Sequence, residues 1–196
     1  MQKQNRYKVV VIAGPPGVGK STIMKGSVER IKKENINYQI VNYGDAMLNV
    51  AKERKLVEHR DNMRKLPAEV QREVQKLAGR SIAKMAKINP IMVDTHCVIK
   101  TPEGFLPGLP KWVLDELQPN MIVLIEAKAE EIAYRRAKDK ARFRDTESLE
   151  SIKGHMDLSR AAAIAYAALT GATVKIIKNN DGKIDEAIQE MLIALR

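Results

Sequence analysis

Five apolar residues, VVVIA at 9 to 13, run directly into GPPGVGKST at 14 to 22. Glycine has no side chain to pack and adopts positive φ freely, so three glycines at one bend shape backbone and do not fill a core. Gly14, Gly19, Lys20 and Ser21 fit the pattern GxxxxGK followed by Ser or Thr, at the strand-to-helix junction that this P-loop motif requires. Backbone N–H groups in such a bend point inward as an anion nest, and the helix that follows adds its positive end. Gly14, Pro15, Pro16, Gly17, Val18, Gly19, Lys20, Ser21 and Thr22 are therefore expected to cradle phosphate. Lys20 would reach the β- and γ-phosphates, Ser21 would hold Mg²⁺, and Thr22 would add a phosphate contact. The bland alternative is a Gly-Pro turn that merely links a strand to a helix.

The rest of the chain repeats the same alternation. Besides YKVVVIA at 7 to 13, β-like runs are YQIVN at 38 to 42, PIMVD at 90 to 94, MIVLIEA at 121 to 127 and ATVKII at 172 to 177. Three of them are continuously apolar, as strands of a parallel sheet covered on both faces should be. Helical patterns lie between: Ile184, Ala187, Ile188, Met191, Leu192 and Leu195 form one apolar stripe, and another runs from Pro67 through Val74, Ala78 and Ile82. This predicts an α/β, three-layer P-loop NTPase fold with a five-stranded parallel sheet and helices on both faces. At 196 residues, 44% of them apolar, the chain suits a single domain, 1–196. Two segments exceed what a crossover needs. Residues 43–89 hold three expected helices, room for a small substrate-binding insertion. Residues 135–147, RRAKDKARFRDTE, are dense in charge with little to bury, a composition that suits a mobile flap.

Runs such as VVVIA and MIVLI are far shorter than the roughly 20 residues that cross a bilayer, so no membrane partner is expected. One cysteine, Cys97, forms no internal disulfide, and the cytoplasm is the expected compartment. The net charge of +10 favours an anionic partner. With aromatics at 4%, single-stranded nucleic acid finds few stacking platforms, which tilts the expectation to small phosphorylated ligands and away from nucleic acid.

Ligands of open parallel sheets sit beyond the carboxyl ends of the strands. Tyr43, Gly44 and Asp45 follow the second run, and Asp94, Thr95 and His96 end or follow the third. Asp94 is a candidate Mg²⁺ ligand beside Ser21, direct or through water; a turn or capping aspartate is its alternative.

The segments DTHCVIKTPEGFLPGLP at 94 to 110, RDNMRKL at 60 to 66 and LTGATVKIIKN at 169 to 179 resemble those of archaeal-type adenylate kinases, over nearly the whole chain. The resemblance implies reversible transfer of the γ-phosphoryl of Mg·ATP to AMP, an AMP-binding insertion at 43–89, a short lid at 135–147, and often a homotrimer. Such a transfer gathers negative charge, so arginines should surround it, their planar forks donating two hydrogen bonds at once. Arg60 and Arg64 lie in the segment that resembles the AMP-binding region; Arg135, Arg136, Arg142 and Arg144 lie in the flap, and Arg160 follows it. Of these, Arg60, Arg142 and Arg144 are expected to act with Lys20 in catalysis, and Arg64 and Arg136 to bind nucleotide.

The chain departs from bacterial relatives, whose aspartate after the third strand sits in a DGFPR-like stretch. Here DTH leads to Lys100, a candidate contact to the acceptor phosphate. With no CxxC at 135–147, the lid is expected to lack zinc. His96 is read as a structural hydrogen-bonding residue and Cys97 as a small core residue; His59 and His155 carry no partner pattern. Trp112 and Leu114 should lie on a helix packed against the sheet or a subunit. Two rival functions remain open on sequence: a nucleoside monophosphate kinase for CMP or UMP, and a P-loop ATPase or nucleic-acid-binding protein.

Overall fold

The computed structural model describes residues 7–138 and 147–196. Five strands form one parallel sheet: β1 (Val9–Ala13), β2 (Gln39–Asn42), β3 (Ile91–Asp94), a strand Met121–Glu126 and a strand Thr173–Lys178. Two short strands intervene, β4 (Val98–Thr101) and β5 (Gly104–Pro107), so the last two sheet strands are β6 and β7. The sheet order is β2-β3-β1-β6-β7, with Ile12 opposite Asp94 and Ala13 opposite Leu124. All five β-like runs of the sequence are strands of this sheet.

Alternate side chains of each strand serve opposite faces. Val10, Ile12, Met92, Val123 and Ile125 face one core with α1 (Lys20–Lys32) and α7 (Ile184–Leu195). Val9, Val11, Ile91, Val93, Ile122 and Leu124 face the other, covered by helices Ala68–Ala86, Lys111–Leu117 and Leu149–Thr170. This double burial is why the central strands read as unbroken apolar runs. The terminal stripe is buried as expected at Ala187, Ile188, Met191, Leu192 and Leu195. Leu114 is buried and Trp112 half-buried, its indole N–H donating to Gln75 at 3.0 Å.

The span 43–89 holds α2 (Tyr43–Glu53), a 3₁₀ helix (Arg60–Lys65) and α3 (Ala68–Ala86). Asn42 caps α2, its side chain accepting from the Asp45 N–H at 3.1 Å. The 3₁₀ helix buries none of its residues. Helix α4 is Lys111–Leu117, α5 is Ala129–Lys138 and α6 is Leu149–Thr170, the last capped by the Ser148 side chain. Among the described residues no helix is long and apolar enough to cross a membrane.

The β4–β5 hairpin was not foreseen in the sequence. Its strands are four residues each, with Ile99, Phe105 and Leu106 exposed, so no buried alternation announces them. The available signal was TPEG, a turn tetrapeptide between VIKT and GFLP; the Thr101 hydroxyl closes it onto the Gly104 carbonyl at 3.1 Å.

Candidate active site at the carboxyl edge of the sheet

The nucleotide loop is built as its residues demand. Gly14, Gly17 and Gly19 have φ of 154°, 85° and 91°. A Cβ on Gly14 would stand 2.3 Å from the Ile125 carbonyl oxygen, and one on Gly19 would stand 2.4 Å from the Asn179 amide nitrogen. Both positions need glycine twice over, for conformation and for clearance. Val18 is fully buried and pins the loop to the core, while Asn179 donates to its carbonyl at 2.8 Å. The Lys20 ammonium donates to the Gly14 carbonyl at 2.9 Å, and Ser21 and Thr22 are exposed in the first turn of α1. No acidic residue and no side-chain cap occupies that turn, which leaves its N–H groups and positive helix end available to an anion.

Beside the loop stands Asp94. Its Oδ2 accepts from the Asn42 amide at 3.2 Å, while its Oδ1 is buried with no hydrogen-bond partner. A buried acceptor without a partner is costly, so this oxygen has the character of a ligand to something the site receives. Ser21 and Asp94 together offer a hydroxyl and a carboxylate, oxygen donors of the kind that Mg²⁺ takes alongside phosphate and water. His96 is pushed down to about 4, by burial first and then by the Lys20 charge, so its imidazole is neutral near pH 7. Cys97 is buried and its thiol pushed up to about 12, mainly by burial, which makes it an unreactive core residue.

The cations separate into two groups. Arg135 and Arg136 sit on α5 against the loop: Arg135 donates to the carbonyl of Asn179 at 2.9 Å and to Asp181, and Arg136 Nε donates to the Pro16 carbonyl at 2.8 Å. Arg135 also lines a pocket of about 260 Å³ with Gly19, Thr22, Asn179, Asp181 and Gly182. Arg60 belongs to the insertion and donates to Asp45 at 2.9 Å. Gly44 makes room for it, since a Cβ there would lie 2.0 Å from Arg60 Nη2. Arg64 is exposed on the same 3₁₀ helix. Arg142 and Arg144 lie outside the described residues.

Two further cations are held by carboxylates. Arg160 grips Glu126, at the carboxyl end of β6, through two hydrogen bonds of 2.6 and 2.7 Å. Lys100 donates to Glu147 at 3.0 Å and to the Ser151 hydroxyl at 2.9 Å. The loop after β7, Asn179 to Gly182, was missed in the sequence, although the rule that selects residues beyond strand ends applies to β7 as it does to β1 to β3.

The chain matches the family model described as AAA domain over residues 13–153. It is 58% identical to the adenylate kinase of Methanocaldococcus jannaschii over 191 residues, covering 97% of this chain and 100% of that protein. It is 56% identical to the adenylate kinase of Methanopyrus kandleri over 190 residues, covering 96% and 97%, and 55% identical to that of Methanothermobacter thermautotrophicus over 184 residues, covering 94% and 97%. Among solved structures, a shikimate kinase from Bacteroides thetaiotaomicron superposes with a TM-score of 0.56 at 12% identity over 95% of this chain and 97% of that one. A gluconokinase from Sinorhizobium meliloti does so with a TM-score of 0.51 at 15% identity over 95% and 90%. Those two likenesses establish the P-loop kinase fold. With near-full-length identity above one half to archaeal relatives, the chain belongs to the adenylate kinases, the ATP:AMP phosphotransferases.

Proposed function

We propose that this edge of the sheet holds ATP and AMP end to end and passes the γ-phosphoryl between them. The observation that carries the reading is convergence. The loop Gly14 to Thr22, the Asp94 carboxylate with its unpartnered oxygen, and the guanidinium groups of Arg60 and Arg136 all belong to segments at the carboxyl ends of β1, β2, β3 and β6. ATP places its phosphates in the loop, with Lys20 leaving Gly14 for the β- and γ-phosphates. The pocket beside Arg135 and Asn179 to Gly182 adjoins this loop and takes the ATP base.

AMP lies against the insertion 43–89, its phosphate met by Arg60 and Arg64. An AMP phosphate oxygen forms the new bond to the γ-phosphorus as the bond to the β,γ-bridging oxygen breaks. Two ADP result, and no protein nucleophile intervenes. The protein contributes alignment and fixed positive charge. Ser21 and Asp94 would hold Mg²⁺, which when bound neutralises charge on the β- and γ-phosphates. In the segment 135–147, assigned as a short lid, Arg136 binds the phosphates from its place against the loop, and Arg142 and Arg144, outside the described residues, are assigned to catalysis. The whole of 1–196 is one kinase domain, assembled as a homotrimer in the cytoplasm.

The test is an assay of the purified chain with Mg²⁺, ATP and each of AMP, CMP, UMP and GMP. ADP formation with AMP well above the other acceptors is expected. Equal or faster rates with CMP or UMP would reassign the acceptor. No transfer to any of them, together with salt-sensitive retention of RNA, would move the chain to the nucleic-acid-binding class.

A further inference from the structure

Glu147 sits immediately before the Ser148 cap of α6, and its two carboxylate oxygens serve different elements. Oε1 accepts from Lys100 Nζ at 3.0 Å and from the Ser151 hydroxyl at 3.3 Å. Oε2 accepts from Arg136 Nη1. Arg136 in turn donates from Nε to the Pro16 carbonyl, and its side chain is only 11% exposed. One carboxylate thus ties the β4–β5 hairpin, through Lys100, to the nucleotide loop, through Arg136.

The environment suits a permanently charged anchor. The Glu147 side chain is 21% exposed, and burial works to raise its carboxyl, yet the hydrogen bonds and charges of Lys100 and Arg136 hold it below the ordinary carboxylate range. Among the described residues, Arg136 Nη2 has no protein acceptor, so its donors remain open once Nε and Nη1 are engaged. An arginine held at two points with a third left free is set for an incoming phosphate oxygen without losing rotamer freedom at the moment of reaction. The surface pair Lys111–Asp115, by contrast, joins neighbouring turns of one helix and ties no two elements together.

We propose that Glu147 is a positioning residue for phosphoryl transfer, fixing Arg136 and Lys100 against the nucleotide loop so that their remaining donors meet the transferring phosphoryl. The proposal rests on the ATP-to-AMP reading above. In the present proposal Glu147 touches no substrate, whereas Arg136 and Lys100 turn their remaining donors to it. Because the bracing matters where charge develops, its loss slows the chemical step more than it weakens binding.

The experiment is steady-state kinetics of full-length Glu147→Gln and Glu147→Asp, with thermal unfolding of each. Glutamine keeps the shape and one acceptor but turns an amide N–H₂ toward one of the two cations. Expected is a fall in kcat of about tenfold or more with KM for ATP and AMP within about threefold, and partial recovery in Glu147→Asp, which keeps the charge on a shorter arm. In a Lys100→Met background the Glu147→Gln loss should shrink, since one of the two braced cations is gone. A parental kcat in Glu147→Gln overturns the proposal, and so does a lowered KM, which would make the carboxylate a stand-in for nucleotide phosphate. If glutamine prevents folding, Glu147→Asp decides alone: a parental kcat there, or a drop confined to KM, overturns it. A parent chain that makes no ADP from ATP and AMP sinks the function reading and this proposal with it, an outcome distinct from an active parent with an indifferent Glu147→Gln.

Discussion

Beside the nucleotide loop, Arg136 is 11% and Arg135 23% exposed, each holding a backbone carbonyl and a carboxylate; in the insertion, Arg60 is 55% exposed and holds one carboxylate, Asp45, itself 64% exposed. The loop side is braced by Asn179, 161 residues away in sequence from the Val18 carbonyl it meets, and by the fully buried Val18. The insertion side is braced within a short stretch, its 3₁₀ helix burying nothing. The difference teaches how the two halves of one site obtain order. The loop half is preorganised by the fold, whereas the insertion half leaves its cations in water, where an arriving phosphate must do the ordering.

The largest effect that can break this comparison is at the loop. Lys20→Ala should lower kcat at least about a hundredfold, as loss of one donor to developing charge does elsewhere. The unfolding midpoint should move little, because the bond to the Gly14 carbonyl is worth about 1 kcal/mol. Single-turnover kinetics with thermal scans check both. A large stability loss with intact kcat would show that the loop is held together by its lysine and was not preformed.

The next effect separates the halves. Arg60→Ala should raise the KM for AMP about tenfold, equivalent to about 1.4 kcal/mol, and leave the KM for ATP unchanged. Its exposed pair with Asp45 contributes little to stability. Gly44→Ala should shift AMP affinity in the same direction and by less, since the added Cβ displaces only the far end of the Arg60 side chain. If Gly44→Ala left AMP binding unchanged while Arg60→Ala did not, the observed Arg60 pose would not be the one that meets AMP.

The same contrast explains what could be read in advance. The three central sheet strands, β3, β1 and β6, were legible because burial on both faces forces unbroken apolar runs, as in VVVIA and MIVLI. The nucleotide loop was legible because its chemistry is local: conformation, charge and hydroxyls fall within nine consecutive residues. The hairpin was not, because Ile99 and Leu106 face each other across it in the open and leave no buried period. Glu147, Asn179 and Asp181 were not, because each acquires its role only when folding brings it to Arg136, Val18 or Arg135. Arg160 reads as a site arginine from its position after the flap, while its partner, the buried Glu126 at the carboxyl end of β6, could be found only in three dimensions.

The smallest expected effect lies at the contact of α6 with the hairpin that carries Lys100. His155 is buried there, its ring edge-on to Phe105 at 5.7 Å between centroids. Burial depresses its pKa below the ordinary histidine value, against the opposing pull of the hydrogen bond to the Val98 backbone and the Glu147 charge. The sign follows: as pH falls through the ordinary range near 6.5, the unfolded chain takes up a proton that the folded chain resists, so stability declines toward acid and gains nothing further above about pH 7.5. His96 pulls in the same direction and is untouched by the substitution, so the readout is a difference between proteins. His155→Gln should lose less of its unfolding midpoint between pH 7.5 and 5.5 than the parent does. Equal acid slopes would mean that the hairpin opens to water at His155 in solution, and that Lys100 is less firmly held to the loop half than its bond to Glu147 implies.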